Sequence, residues 1–141
     1  MMRRVGTFSL TGLLLVAGLT LPACGKAGED YSREVLHGLD QGKLTGTKGT
    51  METFGRALSA YSVDHGGYPQ GADIDAAAQA LSPAYLRAPM LVDAWGNRLQ
   101  YQSDGQSFTL SSPGSDGAAG TGDDVVLKDG QFTQLPSPGK S

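Results

Sequence analysis

The chain has 141 residues, enough for one small domain beside an N-terminal segment, and its 21 glycines with only 18% charged residues suggest a loop-rich fold rather than a long helical bundle. Net charge is −3; without Arg3 and Arg4 the balance is 9 basic against 14 acidic side chains, and no basic patch interleaved with aromatics remains, which argues against a nucleic-acid partner. A single cysteine, Cys24, excludes an intramolecular disulfide and a cysteine-based zinc site, and neither His37 nor His65 has a ligand-spaced neighbour.

Residues 1–23 form a three-part export signal. Arg3 and Arg4 give a positive start, residues 10–21 are apolar, and Leu21-Pro22-Ala23-Cys24 closes the stretch. The apolar run is too short for a comfortable spanning helix and fits a secretory signal peptide. Three readings stand open. A small residue before Cys24 resembles the lipobox of bacterial lipoproteins, a family in which the cysteine is diacylated and becomes the new N-terminus. Each CH₂ that such chains bury in lipid is worth about 0.8 kcal/mol. Pro22 departs from the small or β-branched residue usual there. The second reading is an ordinary signal peptide beside an unrelated cysteine. The third is an altered pilin-type leader. Phe8-Ser9-Leu10-Thr11-Gly12-Leu13-Leu14 resembles the Phe-Thr-Leu-Ile-Glu-Leu-Leu start of mature pseudopilins. Gly12, however, takes the glutamate position, and Thr7 separates Gly6 from Phe8. The first and third readings imply an exported, membrane-anchored protein with its globular part in the periplasm or at the cell surface.

Residues 24–43 are polar and glycine-containing, and read as a tether with at most a short helical turn near 34–39. The globular domain is expected over 44–135. Leu44, Met51 and Leu58 recur every seven residues, and Thr47, Phe54 and Tyr61 fill the three-residue offset, which predicts an amphipathic helix. Gly46, Gly49 and Gly55 weaken it by up to about 1 kcal/mol each relative to alanine. His65-Gly66-Gly67 ends it. A short helix is predicted over 73–81, with Asp73 as cap, Ile74, Ala77, Ala78 and Leu81 on one face, and Pro83 as terminator. From Leu99 the period changes to two. Leu99-Gln100-Tyr101-Gln102 and Ser107-Phe108-Thr109-Leu110 flank Asp104-Gly105, a hairpin signal. Val125-Val126-Leu127 and Phe132-Thr133-Gln134-Leu135 flank Asp129-Gly130 as a second one. Residues 136–141 are expected to be a disordered tail. The predicted class is α+β, one N-terminal amphipathic helix packed on a small antiparallel sheet.

Three motifs in this order resemble the major (G-type) pseudopilin of type II secretion. The helix end Ala57-Leu58-Ser59-Ala60-Tyr61-Ser62-Val63-Asp64-His65-Gly66-Gly67-Tyr68-Pro69 is similar to the family's helix end followed by Asn-Gly and Tyr-Pro. Asp93-Ala94-Trp95-Gly96-Asn97-Arg98-Leu99-Gln100-Tyr101 is similar to Asp-Pro-Trp-Gly-Asn-Pro-Tyr-Gln-Tyr. Ser112-Pro113-Gly114-Ser115-Asp116-Gly117, with Gly120, Gly122, Asp123 and Asp124 beyond it, is similar to the family's Gly-Ala-Asp-Gly loop and later acids. Together they cover roughly 44–127. The resemblance implies a pilin-like fold with a C-terminal metal loop. Locally, Asp93 and Asn97 bracket Trp95, and Gly96 permits a tight turn that offers the indole a route into the core.

Asp116, Asp123 and Asp124 fall within nine residues rich in glycine. Carboxylates packed so closely repel unless a cation neutralises them, and hard oxygen donors without nitrogen or sulfur favour calcium. The spacing is not that of an EF-hand, and a solvated turn is the plainer reading of the loop alone. In the family, side chains at the positions matching Asp116, Asp123 and Asp124 ligate calcium together with loop carbonyls. Pro113 matches one carbonyl donor, although the family usually has leucine there. The resemblance implies a structural, non-enzymatic protein of type II secretion that partners other pseudopilins or secretion-machinery components. The alternative is a membrane-tethered lipoprotein with a calcium-binding module and an adhesion or surface role. An enzyme lacks support: Asp64 and His65 read as a helix end, and no phosphate loop or nucleophile triad order is present.

Overall fold

A computed structural model describes residues 26–136 of the protein. The export signal, Cys24 and residues 137–141 of the expected tail lie outside the described residues. Helix α1, Lys26–His65, runs for 40 residues, about 60 Å at 1.5 Å per residue. It therefore absorbs most of the segment read from sequence as a tether. No proline interrupts the chain between Pro22 and Pro69, and extending an existing helix costs far less than starting one, so Gly38 and Gly42 do not stop it. Among the described residues, no helix is long and apolar enough to cross a membrane.

The second half of α1 carries the stripe anticipated from its periodicity. Thr47, Met51, Phe54 and Leu58 are fully or almost fully buried, and Leu44 and Tyr61 pack against them from the margin. Gly55 lies where the sheet comes closest: a Cβ there would stand 2.9 Å from Leu127 Cδ2. The helix ends where Gly66, at φ +74°, donates its N–H to the Ser62 carbonyl. Helix α2, Ile74–Leu81, is capped by Asp73, whose Oδ1 accepts from Asp75 N–H at 2.9 Å. Its buried residues are Ile74, Ala77, Ala78 and Leu81, the face expected from sequence.

Four strands follow: β1 Gln100–Ser103, β2 Phe108–Ser112, β3 Val125–Lys128 and β4 Gln131–Gln134. They form an antiparallel meander in the order β1-β2-β3-β4. Both expected hairpins are present. At the second, Asp129 adopts a left-handed conformation (φ 50°), its N–H donates to the Phe108 carbonyl and its Oδ1 accepts from the Phe108 N–H. Alternation sends Tyr101, Phe108, Leu110, Ser112, Val125 and Leu127 inward against α1 and α2. The result is a helix-on-sheet α+β domain, and it leaves one twelve-residue connection, 113–124, between adjacent strands β2 and β3.

Candidate metal centre

The 113–124 connection starts and ends inside the domain. Pro113 and Gly114 are buried at its start and Asp124 at its end, whereas 115–120 are exposed. Four of its residues shape the path through backbone conformation or contact. Gly114, Gly117 and Gly120 have positive φ, and a Cβ on Gly114 would overlap the Asp123 carbonyl oxygen at 2.2 Å. The two arms of the loop therefore touch through their backbones.

Asp123 organises the tip. Its Oδ2 accepts from Ser115 Oγ–H and Asp116 N–H, both at 2.9 Å, and its Oδ1 accepts from Thr121 Oγ–H at 2.5 Å. Partial burial pushes this carboxyl up, but the hydrogen bonds from Thr121, Asp116 N–H and Ser115 outweigh it and hold the group well below the usual carboxylate range. Asp124 Oδ2 accepts from Gly120 N–H at 2.7 Å, and its Oδ1 stands 3.4 Å from the same Thr121 hydroxyl. Asp123 and Asp124 are thus gathered around one threonine. Asp116 joins them only through its backbone; its Oδ1 accepts from Ala118 N–H at 2.8 Å.

Among the described residues, no three carboxylate, imidazole or thiolate groups converge as metal ligands would. Sequence spacing put three acids in one short loop, and the fold brings two of their carboxylates together. Loop N–H groups and hydroxyls supply the neutralising contacts here. The donor chemistry nonetheless fits a hard cation: the loop's own polar side chains, Ser115, Asp116, Thr121, Asp123 and Asp124, all offer oxygen and none offers nitrogen or sulfur.

Beneath the loop lies a buried aspartate that sequence reading treated only as part of a turn. Asp93, 4% exposed, accepts through Oδ1 from Trp95 N–H at 2.9 Å and Asn97 N–H at 2.8 Å, and through Oδ2 from Ser112 Oγ–H at 2.6 Å. Asn97 Nδ2 donates to the Gly114 carbonyl at 2.7 Å. The Asp-x-x-x-Asn spacing signals the turn; only the fold shows Ser112 and Gly114 arriving above it. Trp95 stays half-buried rather than joining the core, and its Nε1 is sequestered without a hydrogen-bond partner among the described residues. Arg98 extends from the same turn to pair with Asp75 at the start of α2.

This ordering of long helix, Asp-Ala-Trp-Gly-Asn turn, meander and acidic loop coincides with a match to the family model for type II secretion system (T2SS) protein G over residues 34–128. The chain belongs to the T2SS protein G family. Among curated relatives, the type II secretion system core protein G of Xanthomonas campestris pv. campestris is 34% identical over 94 residues, which cover 61% of this chain and 64% of that protein. The core protein G of Pseudomonas aeruginosa is 33% identical over 103 residues, 64% of this chain and 72% of that protein. No solved structure gives a significant match. The protein G match contains the second half of α1, the buried turn and the whole acidic loop, and its start at residue 34 lies within the supposed tether.

Proposed function

We propose that this protein is a structural component of type II protein secretion, a pseudopilin-like subunit whose 113–124 loop binds calcium. The carrying observation for the secretion role is the protein G family match across the helix-and-sheet domain. For the metal, support comes from the pairing of Asp123 and Asp124 around Thr121 in an all-oxygen loop closed by backbone contact. Asp116, Asp123 and Asp124 would hold the ion with loop carbonyls, Pro113 being one candidate. A bound calcium supplies positive charge that relieves carboxylate repulsion and ties β2 to β3. Other pseudopilins or secretion-machinery components are the proposed partners. The globular part is exported and held at a membrane through its N-terminal segment, by acylation at Cys24 or by a pilin-type start at Phe8. Mass spectrometry of the mature N-terminus separates these by showing acylated Cys24 or a chain beginning at Phe8.

The role is structural rather than catalytic. His65 stacks on Tyr61 with ring centroids 3.9 Å apart, and its Nδ1–H donates to the Tyr61 carbonyl. Asp64 accepts from the Tyr85 hydroxyl at 2.7 Å. Both side chains are engaged in closing α1 against the 82–92 connection. Calorimetric titration with calcium tests the metal reading. Saturable binding in the unmodified protein, lost in Asp116→Ala and in Asp123→Ala, is expected; no binding heat in the unmodified protein at any accessible concentration overturns it.

A further inference from the structure

Gly114, where the acidic loop leaves β2, is gripped on both sides by groups outside the loop's own acids. Its N–H meets Ser112 Oγ at 3.2 Å, and its carbonyl accepts from Asn97 Nδ2 at 2.7 Å. Both grips trace back to Asp93, which takes hydrogen bonds from the Ser112 hydroxyl and from the Asn97 backbone. Gly114 in turn lies against the Asp123 backbone so closely that no side chain fits between them. Asn97 Oδ1 also stands 3.1 Å from where a Cβ on Gly117 would lie, so the same amide abuts the loop at a second point. Where Gly114 is held therefore decides where the Asp123 arm runs.

We propose that Asn97, seated by the buried Asp93, is a positioning residue for the acidic loop. It holds Gly114 in place and so sets the spacing of the oxygen donors at Asp116, Asp123 and Asp124, and with it the loop's affinity for a divalent cation. The affinity clause rests on the calcium reading above; the positioning clause does not. The turn is itself moored to the long helix. Ala94 N–H donates at 3.0 Å to Thr47 Oγ, which is fully buried on α1. Thr47 thus provides a control: it anchors the same turn without touching Gly114.

The experiment compares the full chain with its Asn97→Ala, Asn97→Asp and Thr47→Val variants. Amide hydrogen exchange is read in chelator, and calcium affinity by calorimetry. Asn97→Ala is expected to speed exchange across 114–124 by about tenfold or more, with β1 and β3 amides unchanged, and to weaken calcium binding by about 10–100-fold, the usual range for a group supporting metal ligands. Asn97→Asp, nearly isosteric but unable to donate to the Gly114 carbonyl, carries the same expectation and serves if the alanine variant does not fold. Thr47→Val is expected to lower the melting temperature while leaving loop exchange and calcium affinity as they were. Loop exchange unchanged in both Asn97 variants overturns the proposal, as does an equal loosening in Thr47→Val. Absence of calcium binding in the unmodified protein removes the metal reading alone, and the exchange comparison then decides the positioning role.

Discussion

Asp93 and Asp123 each accept three short hydrogen bonds, but from different surroundings. The donors to Asp93 come from a tight turn and from β2, two parts of the rigid frame, and water is excluded. The donors to Asp123 all come from its own loop, which is largely exposed, and two of the three are hydroxyls. A carboxylate satisfied by fixed, buried donors belongs to the architecture. A carboxylate satisfied by adaptable donors at a surface can exchange them for a cation. Asn97 and Ser112 join the two sites, because each bonds to Asp93 and each holds Gly114 at the start of the loop.

The strongest way to break that contrast is to remove the buried acceptor. Asp93→Ala leaves two turn N–H groups and the Ser112 hydroxyl without their partner, and should cost roughly 3 kcal/mol or more of stability in urea unfolding. Asp123→Ala should cost clearly less in chelator, because its donors can turn to water. Calcium sharpens the difference. At about a hundred times its dissociation constant it should add about 2.7 kcal/mol, seen as a raised melting temperature, and Asp123→Ala should abolish that rise.

Acid should separate the sites next. The Asp123 carboxyl titrates below its ordinary value of 3.8, so the stabilisation from its charged form is complete above that pH and fades as pH falls towards its folded value. Melting temperatures measured between pH 5 and 2, taken as round bounds on either side of the unfolded carboxyl range of about 4, should fall, and Asp123→Asn should flatten part of that fall. The smallest effect belongs to Asp116→Ala in chelator. Its carboxylate meets only Ala118 N–H, so the change should stay within about 0.5 kcal/mol. In calcium the same variant should lose most of the ion-dependent gain.

Much of the domain was legible from periodicity and turn chemistry. The buried faces of α2 and of the second half of α1 follow from apolar spacing alone, and Asp104-Gly105 and Asp129-Gly130 marked both hairpins. The first half of α1 escaped that reading because Val35, Leu36 and Leu39 are exposed and face no sheet. Apolar periodicity reports burial, and apolar residues that stay exposed leave no stripe to find.

By itself the sequence determined the elements from the second half of α1 onward, the hairpin turns and the concentration of acids after Ser112, since each depends on neighbours within a few residues. Only tertiary structure decided which acids meet. β2 and β3 pair and draw the loop's ends together, which sets Asp123 of one arm against Ser115 and the Asp116 N–H of the other, while the Asp116 carboxylate turns to the Ala118 N–H. It likewise decided that Asp93 lies under Ser112, a partner nineteen positions away, because such a contact depends on sheet register and helix packing rather than on local spacing.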